Sequence, residues 1–208
     1  LFLMPFSYIW IFLYKVKSMI IRPYNSKLKV LCVGNLTSGG TGKTPFAIYS
    51  YKILKNSGFN PVFLTRGYRG HSKGPIEVQT FHKYHEVGDE AILLSKVGTT
   101  IVSKNRAVGA KFIEKLNNNY DVIIMDDGLQ NNQLEKDFKI LLIDKILLFG
   151  NRYCIPAGPL RQTINDGLKK VDAVIFTGND NEKIKFLQKD FEHIPILNSK
   201  IKTKNNSV

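Results

Sequence analysis

The stretch VLCVGNLTSGGTGKTP, from Val30 to Pro45, restricts this chain more than any other. Val30 to Val33 form an unbroken apolar run with the character of a short buried strand. Gly34 opens a turn, Gly39, Gly40 and Gly42 keep the next segment clear of side-chain bulk, and Lys43-Thr44 closes it. Pro45 suits the first turn of a helix, where its missing N–H costs nothing. Strand, glycine loop, Lys-Thr and helix together wrap a nucleoside triphosphate. Backbone N–H groups of the loop and the positive end of the helix hold phosphate oxygens. Lys43 then reaches the β- and γ-phosphates, and the Thr44 hydroxyl ligates Mg²⁺. The usual pattern has glycine five residues before Gly42, and Thr37 stands there. The plainer reading is a Gly/Ser/Thr turn that binds nothing; the flanking strand and helix start argue against it.

A matching acidic element comes later. Tyr120 to Met125 reads as a buried strand that ends in Asp126-Asp127-Gly128. Acids at the carboxyl end of an apolar strand are the second half of a phosphate-loop site, where they hold or orient Mg²⁺. Asp at a strand-to-turn junction is common on its own; the loop at 39–44 gives this pair its meaning.

Around these two elements, strands and helices alternate. The first strand runs Lys27 to Gly34, followed by a helix from Pro45 to Asn56 and a strand from Pro61 to Thr65. Arg66-Gly67-Tyr68-Arg69-Gly70 forms a basic loop where a parallel strand would end, the place where ligands of open α/β sheets gather. Residues 71–86 are polar; His82 and His85 would need two more ligands to hold a metal, and none is evident in the sequence. Asp89 and Glu90 precede a helix from Ala91 to Val97, as caps or as an active-site base. A strand at Thr99–Val102 leads to a helix at Asn105–Leu116, whose Arg106 is either a phosphate contact or a surface charge. Further strands are expected at Phe138–Asp144, Asp172–Thr177 and Ile194–Ile201, and a helix at Asn181–Phe191. Between them, GNRYCIPAGPLRQ (150–162) reads as a shaped loop with Arg161 as an anion contact. The pattern predicts a mostly parallel sheet covered by helices on both faces.

Residues 1–14, LFLMPFSYIWIFLY, are almost wholly apolar and aromatic, and Lys15, Lys17 and Arg22 follow. A spanning helix needs about 20 such residues, and the run has neither the basic flank nor the cleavage site of a signal peptide. Interfacial aromatics followed by basic residues suit a monotopic anchor in the cytoplasmic leaflet; a helix packed on the domain is the alternative. Net charge is +13 and the pI about 9.7. That balance favours anionic partners, or reflects a lysine-rich solvated surface. Aromatics cluster at the N-terminus instead of interleaving with the basic residues, which speaks against nucleic acid. The two cysteines, Cys32 and Cys154, form no C-x-x-C pair, and a reduced compartment is the simplest expectation.

Five segments, VGNLTSGGTGKTP (33–45), LTRGYRG (64–70), VGDE (87–90), MDDGLQ (125–130) and PAGPLRQ (156–162), together resemble the tetraacyldisaccharide 4′-kinases of lipid A biosynthesis. They occur in that family's order, and Thr37 at the first loop position is itself a feature of it. The resemblance implies a fold of the P-loop NTPase kind, with residues 1–24 as a membrane-associated segment and 25–208 as the kinase domain. It implies an enzyme at the inner membrane, on its cytoplasmic face. That enzyme moves the γ-phosphate of ATP, with Mg²⁺, to the 4′-hydroxyl of a 1-phosphorylated disaccharide lipid.

By position, the resemblance makes Thr37, Gly39, Gly40, Thr41, Gly42, Lys43 and Thr44 the nucleotide-binding residues. Thr44, Asp126 and Asp127 become the metal residues. Asp89 becomes the catalytic base beside Lys43, and Tyr68, Arg69 and Arg161 the lipid head-group contacts. The chain departs from the family pattern at Asn131, where His is usual, and at Gln162, where Glu is usual. Members also continue past this chain's end with a His-containing segment that works beside the catalytic Asp, which His193 does not match. With Leu1 first, a gene fragment is expected. Two other readings remain: another P-loop ATPase or small-molecule kinase, and a membrane-bound nucleotide-binding fragment without turnover.

Overall fold

The computed structural model describes residues 2–116, 118–178, 191 and 193–199. Eight strands form one sheet: β1 (Lys29–Gly34), β2 (Pro61–Thr65), β3 (Ile76–Glu77), β4 (Thr100–Val102), β5 (Val122–Asp126), β6 (Phe138–Asp144), β7 (Ala173–Thr177) and β8 (Ile196–Ser199). Their order across the sheet is β3-β4-β2-β5-β1-β6-β7-β8. Every pairing is parallel except that of β3 with β4. The helices among the described residues are α1 (Met4–Ile20), α2 (Lys43–Asn56), α3 (Tyr84–Val87), α4 (Asp89–Ser95), α5 (Arg106–Lys115) and α6 (Ile164–Leu168).

Alternation along the strands feeds two cores. From β1, Val30 and Cys32 join Leu64, Met125, Ala110 and Ile113 on one face, with α5 and α6 packed there. On the opposite face, Phe63 and Ile124 meet Ala47 of α2 and Leu94 of α4, and the Tyr51 ring stacks on Phe63 at 4.8 Å. Both β2 and β5 are buried along their whole length. That is what a strand covered on both faces requires, and it explains why neither shows polar alternation.

Parallel pairing puts the carboxyl ends of β1, β2, β4 and β5 at one edge of the sheet. Val33 lies beside Asp126 in the β1–β5 register. The glycine loop, the Arg66–Gly70 loop and the acid pair therefore open onto the same crevice, as a switch point in strand order dictates. Here β1 is that point, with β5 on one side and β6 on the other.

Most expected elements stand within two residues of their predicted bounds. The helix after the loop starts at Lys43, two residues before Pro45, because Gly42 supplies the left-handed residue (φ 78°) that turns the chain. The polar stretch 71–86 contains β3 and α3, and α4 begins at Asp89, ahead of the predicted Ala91. The expected helix at Asn181–Phe191 lies outside the described residues apart from Phe191, which is buried.

Helix α1 docks on the 154–166 segment. The Ser7 hydroxyl donates to the Cys154 carbonyl at 2.7 Å and accepts from the Ala157 N–H at 3.1 Å. Trp10 Nε1 donates to the Arg161 carbonyl at 2.9 Å, and Lys15 pairs with Asp166 at 3.4 Å. The rest of the helix leaves Phe6, Tyr8, Ile9, Phe12, Leu13 and Met19 exposed. No helix among the described residues is long and apolar enough to cross a membrane.

Candidate active site

The loop from Asn35 to Gly42 hangs between β1 and α2 and is braced from outside. The Ser38 N–H donates to the Pro159 carbonyl at 2.7 Å, and the Arg161 N–H to the Leu36 carbonyl at 2.8 Å. The 150–162 loop thus forms an antiparallel partner to the phosphate loop, bridged at Thr37 and Leu160. Inside, the buried Asn35 amide holds the Thr37 hydroxyl at 3.5 Å and the Gly39 carbonyl at 3.4 Å. A Cβ built on Gly39 or Gly40 would meet no atom within 4 Å, so the loop backbone lines open space.

Lys43 folds back over this loop. Its ammonium donates to the Gly39 carbonyl at 3.4 Å and lies 4.0 Å from Asp127 Oδ1, with only a tenth of the side chain exposed. Thr44, next on the helix, donates its hydroxyl to Asp126 Oδ2 at 3.0 Å. Asp126 is 1% exposed, and its other oxygen, Oδ1, is buried without a hydrogen-bond partner. Burial first, and the neighbouring Glu90 and Asp127 charges, push its carboxyl up to about 7 against the pull of Thr44 and Lys43. Asn35 Oδ1 and Thr41 Oγ1 are also buried and unpartnered. Three orphaned oxygens around one loop are costly unless a ligand completes them.

Asp127 sits in the left-handed region (φ 52°), which turns its carboxylate across the crevice to Arg161. Arg161 Nη1 reaches both oxygens, at 2.9 and 3.1 Å, and Gln130 Oε1 at 3.3 Å. Gln130 in turn donates to the Asn35 carbonyl at 2.7 Å. One chain of polar contacts therefore joins the phosphate loop, the acid pair and the 150–162 loop.

A divalent cation fits the donor set of Thr44 and Asp126: a hydroxyl beside a buried carboxylate oxygen with nothing bound to it. Among the described residues no three His, Cys, Asp or Glu side chains stand in an arrangement that could hold a metal ion by themselves. Magnesium suits such a sparse site, because it keeps waters and shares substrate phosphate oxygens.

Asp89 opens α4 at the same sheet edge. It is exposed, and its Oδ1 accepts the Glu90 N–H at 3.1 Å. Glu90 is half-buried; burial, then Asp127 and Asp89, raise its carboxyl, while Lys43 and Arg161 lower it. Tyr68 and Arg69 stand on the basic loop, the Arg69 guanidinium 5.4 Å over the Tyr68 ring. This loop is locked to the turn before Asp89. A Cβ on Gly88 (φ 90°) would lie 2.5 Å from the Tyr68 carbonyl, and one on Gly70 2.7 Å from the Glu86 carbonyl.

Sequence reasoning passed over Asn35 and Gln130, and left Arg106 between two roles. Arg106 is 2% exposed, so it is no surface charge; its guanidinium donates to the Ser103 carbonyl at 2.5 Å. Burial first, and then Arg66, lower it to about 10, with Asp127 and Asp126 opposing. The signal was helical phase: Arg106, Gly109, Ala110 and Ile113 share one buried stripe. Asn131 is tied within its own turn, exchanging hydrogen bonds with Gln133 at 2.9 and 3.1 Å. Gln162 is buried with its amide oxygen unpartnered.

A sequence model of the tetraacyldisaccharide-1-P 4′-kinases matches residues 1–208. The tetraacyldisaccharide 4′-kinase of Rickettsia canadensis is 42% identical over 182 residues, which are 88% of this chain and 55% of the relative. That of Rickettsia conorii is 37% identical over 204 residues, 98% of this chain and 63% of the relative. The chain thus spans between 55% and 63% of these relatives' length. Among solved structures, LpxK from Aquifex aeolicus in complex with ATP superposes with a TM-score of 0.80 at 30% identity, covering 94% of this chain and 63% of that one. Cobyrinic acid a,c-diamide synthase from Mycobacterium smegmatis, with a TM-score of 0.52 at 15% identity over 86% of this chain and 88% of its own, shares the fold alone.

Proposed function

This chain belongs to the tetraacyldisaccharide-1-P 4′-kinase family, and from that premise we propose that it transfers the γ-phosphate of ATP to the 4′-hydroxyl of a tetraacyldisaccharide 1-phosphate, a lipid A precursor. The observation that carries this reading is the 3.0 Å contact between Thr44 and Asp126, with the second Asp126 oxygen buried and free beside the phosphate loop.

In this reading, the amides from Thr37 to Thr44 and the N-terminus of α2 cradle the phosphates. Lys43, now 4.0 Å from Asp127, swings from the Gly39 carbonyl onto the β- and γ-phosphate oxygens. Thr44 and Asp126 would hold Mg²⁺, with Asp127 joining them from its pair with Arg161, and the ion would neutralise charge on the phosphates. Asp89 accepts the proton of the sugar hydroxyl as that oxygen bonds to the γ-phosphorus and the bond to the β–γ bridging oxygen breaks, releasing ADP. Exposure of Asp89 at the mouth of the crevice suits a base that meets an acceptor arriving from outside. Tyr68, Arg69 and Arg161 bind the sugar-phosphate head.

Residues 1–24 act as the membrane-associated segment and 25–208 as the kinase domain. The exposed aromatic and aliphatic residues of α1 suit a helix lying in the cytoplasmic leaflet of the inner membrane, which leaves acyl chains in the bilayer while the head reaches the loops. The test is a γ-phosphate transfer assay on the 1-phosphorylated disaccharide lipid, run with this chain and with one extended at both ends. Transfer by the extended chain supports the reading, and its absence refutes it. Tight binding of ATP and Mg²⁺ without transfer by the shorter chain would make that chain a nucleotide-binding fragment. Transfer to soluble acceptors alone would point to a different kinase.

A further inference from the structure

A cleft of about 360 Å³ lies beneath the carboxyl end of α1. Lys136, Lys139, Lys169 and Lys170 line it, against one lining carboxylate, Glu135. Asp172 lies 3.9 Å from Lys139, Glu135 stands beside Lys136, and Asp166, itself paired with Lys15, is near enough to Lys170 to feel its charge. Lys170 lies 6.0 Å over the Tyr14 ring of α1, and Lys136 donates to the Asn131 carbonyl. Burial pulls the Lys136 ammonium down, and Lys139 and Lys170 add to that against Cys32 and Glu135. Four lysines against Glu135 and Asp172 leave the cleft net positive. The wall also carries Gln162, 3% exposed, whose amide oxygen has no donor.

We infer that this cleft binds the head group of an anionic bilayer phospholipid, with the phosphodiester among the lysines and a head-group hydroxyl donating to Gln162. The inference rests on the membrane placement of α1 proposed above. Ser18, Ile21 and Pro23, at the end of the exposed apolar helix, form the cleft's rim, so a lipid whose tails lie along α1 presents its head there. A net-positive lysine cluster attracts the phosphodiester and repels the ammonium of a serine head, so the one buried acceptor beside it suits a neutral glycerol hydroxyl better.

Vesicle flotation of the full chain tests this, using phosphatidylcholine alone or with added phosphatidylglycerol or phosphatidylserine. The expected result is phosphatidylglycerol-dependent binding that falls about fivefold per lysine removed, hence more than tenfold in K169Q/K170Q. The exposed α2 pair altered in K52Q/K55Q should leave binding unchanged. Gln162→Leu, which keeps the charge, should erase the preference for phosphatidylglycerol over phosphatidylserine; thermal melts confirm folding of each variant. Equal losses in the two lysine pairs would mean a diffuse field and overturn the inference, as would undiminished binding by K169Q/K170Q. Unchanged flotation with a raised KM for the lipid substrate in neutral detergent micelles would assign the cleft to the substrate's own phosphate, and would also overturn it. The flotation readouts do not depend on phosphoryl transfer, so failure of this inference and failure of the kinase reading are distinguishable.

Discussion

Thr44 and Asp126 are separated by 82 residues in sequence, and their side chains meet at 3.0 Å. The contact follows from topology: β1 and β5 are parallel neighbours, so what leaves one strand end faces what leaves the other. It occupies one Asp126 oxygen and leaves the second sealed from water without a partner. A buried carboxylate in that state is unstable when ionised, which makes it a strong recipient for a cation.

The consequence appears in pH dependence. The Asp126 carboxyl in the folded chain sits at about 7, above its value in the unfolded chain. Between about pH 4 and 7 the folded form keeps a proton that the unfolded form has released. This group's contribution to stability is therefore full below that window and is lost as pH rises through it, by on the order of 2–4 kcal/mol. Asp126→Asn should flatten the limb, so that its melting temperature exceeds the native one at about pH 8 and matches it more closely at about pH 5. Adding Mg²⁺ at the higher pH should raise the native melting temperature and leave the variant unmoved. A native protein indifferent to Mg²⁺ would remove Asp126 from the metal site.

Lys43→Ala removes the one ammonium that lies against both the Gly39 carbonyl and Asp127. Phosphoryl transfer by the complete protein should fall by about 10²–10³-fold, the usual cost of deleting a positioned charge-stabilising donor. Stability should change little, since both of these polar interactions are long and therefore weak. Radiolabelled γ-phosphate transfer gives the first quantity and a denaturant midpoint the second; unchanged turnover would reject the phosphate role.

How far the sequence carried these expectations depends on range. The glycine loop and the Asp126-Asp127 step were legible because each is contiguous and strand-flanked. Their meeting was expected from the pattern of a phosphate-loop site, in which acids end a strand beside the loop, and Val33 lies beside Asp126 in the β1–β5 register. What escaped is contact between remote loops. Gln130 bridges the Asn35 carbonyl and Arg161, and no local pattern marks a glutamine for such a task. The brace of the glycine loop by residues 159–161 uses backbone groups, which are identical in every sequence. Arg106 was readable from helical phase, yet an arginine on a buried stripe runs against its usual place at the surface.

Asp89 and Glu90 are adjacent acids with different surroundings, and substitution should separate them. Asp89 is exposed and bonded only to the Glu90 N–H, whereas Glu90 is half-buried and feels Asp127, Lys43 and Arg161. Asp89→Asn should lower kcat by about 10²–10⁴-fold with ATP affinity retained, as loss of a general base does. Glu90→Gln should leave chemistry largely intact and relieve the repulsion on Asp126, so that Mg²⁺ is needed at a different concentration. Kinetics at varied ATP and Mg²⁺ distinguish the two. If ATP affinity falls in Asp89→Asn instead, Asp89 belongs to the metal or to the scaffold.

Gly88 offers a sharper test of how Asp89 is aimed. Its φ is 90°, and a Cβ there would lie 2.5 Å from the Tyr68 carbonyl, a backbone atom that cannot rotate away. Gly58, after α2, has a nearly identical φ of 88°, but a Cβ would meet nothing within 4 Å. Gly58→Ala should therefore cost only the conformational penalty, about 1 kcal/mol, with activity unchanged. Gly88→Ala should cost about 2–3 kcal/mol, because the Arg66–Gly70 loop and the turn before Asp89 must part. That separation shifts the base while leaving the glycine loop in place, so kcat should fall far more than ATP affinity. Urea midpoints and steady-state kinetics on both variants decide it. Equal costs at the two glycines, or a Gly88→Ala protein with native kcat, would show that the two loops are not coupled.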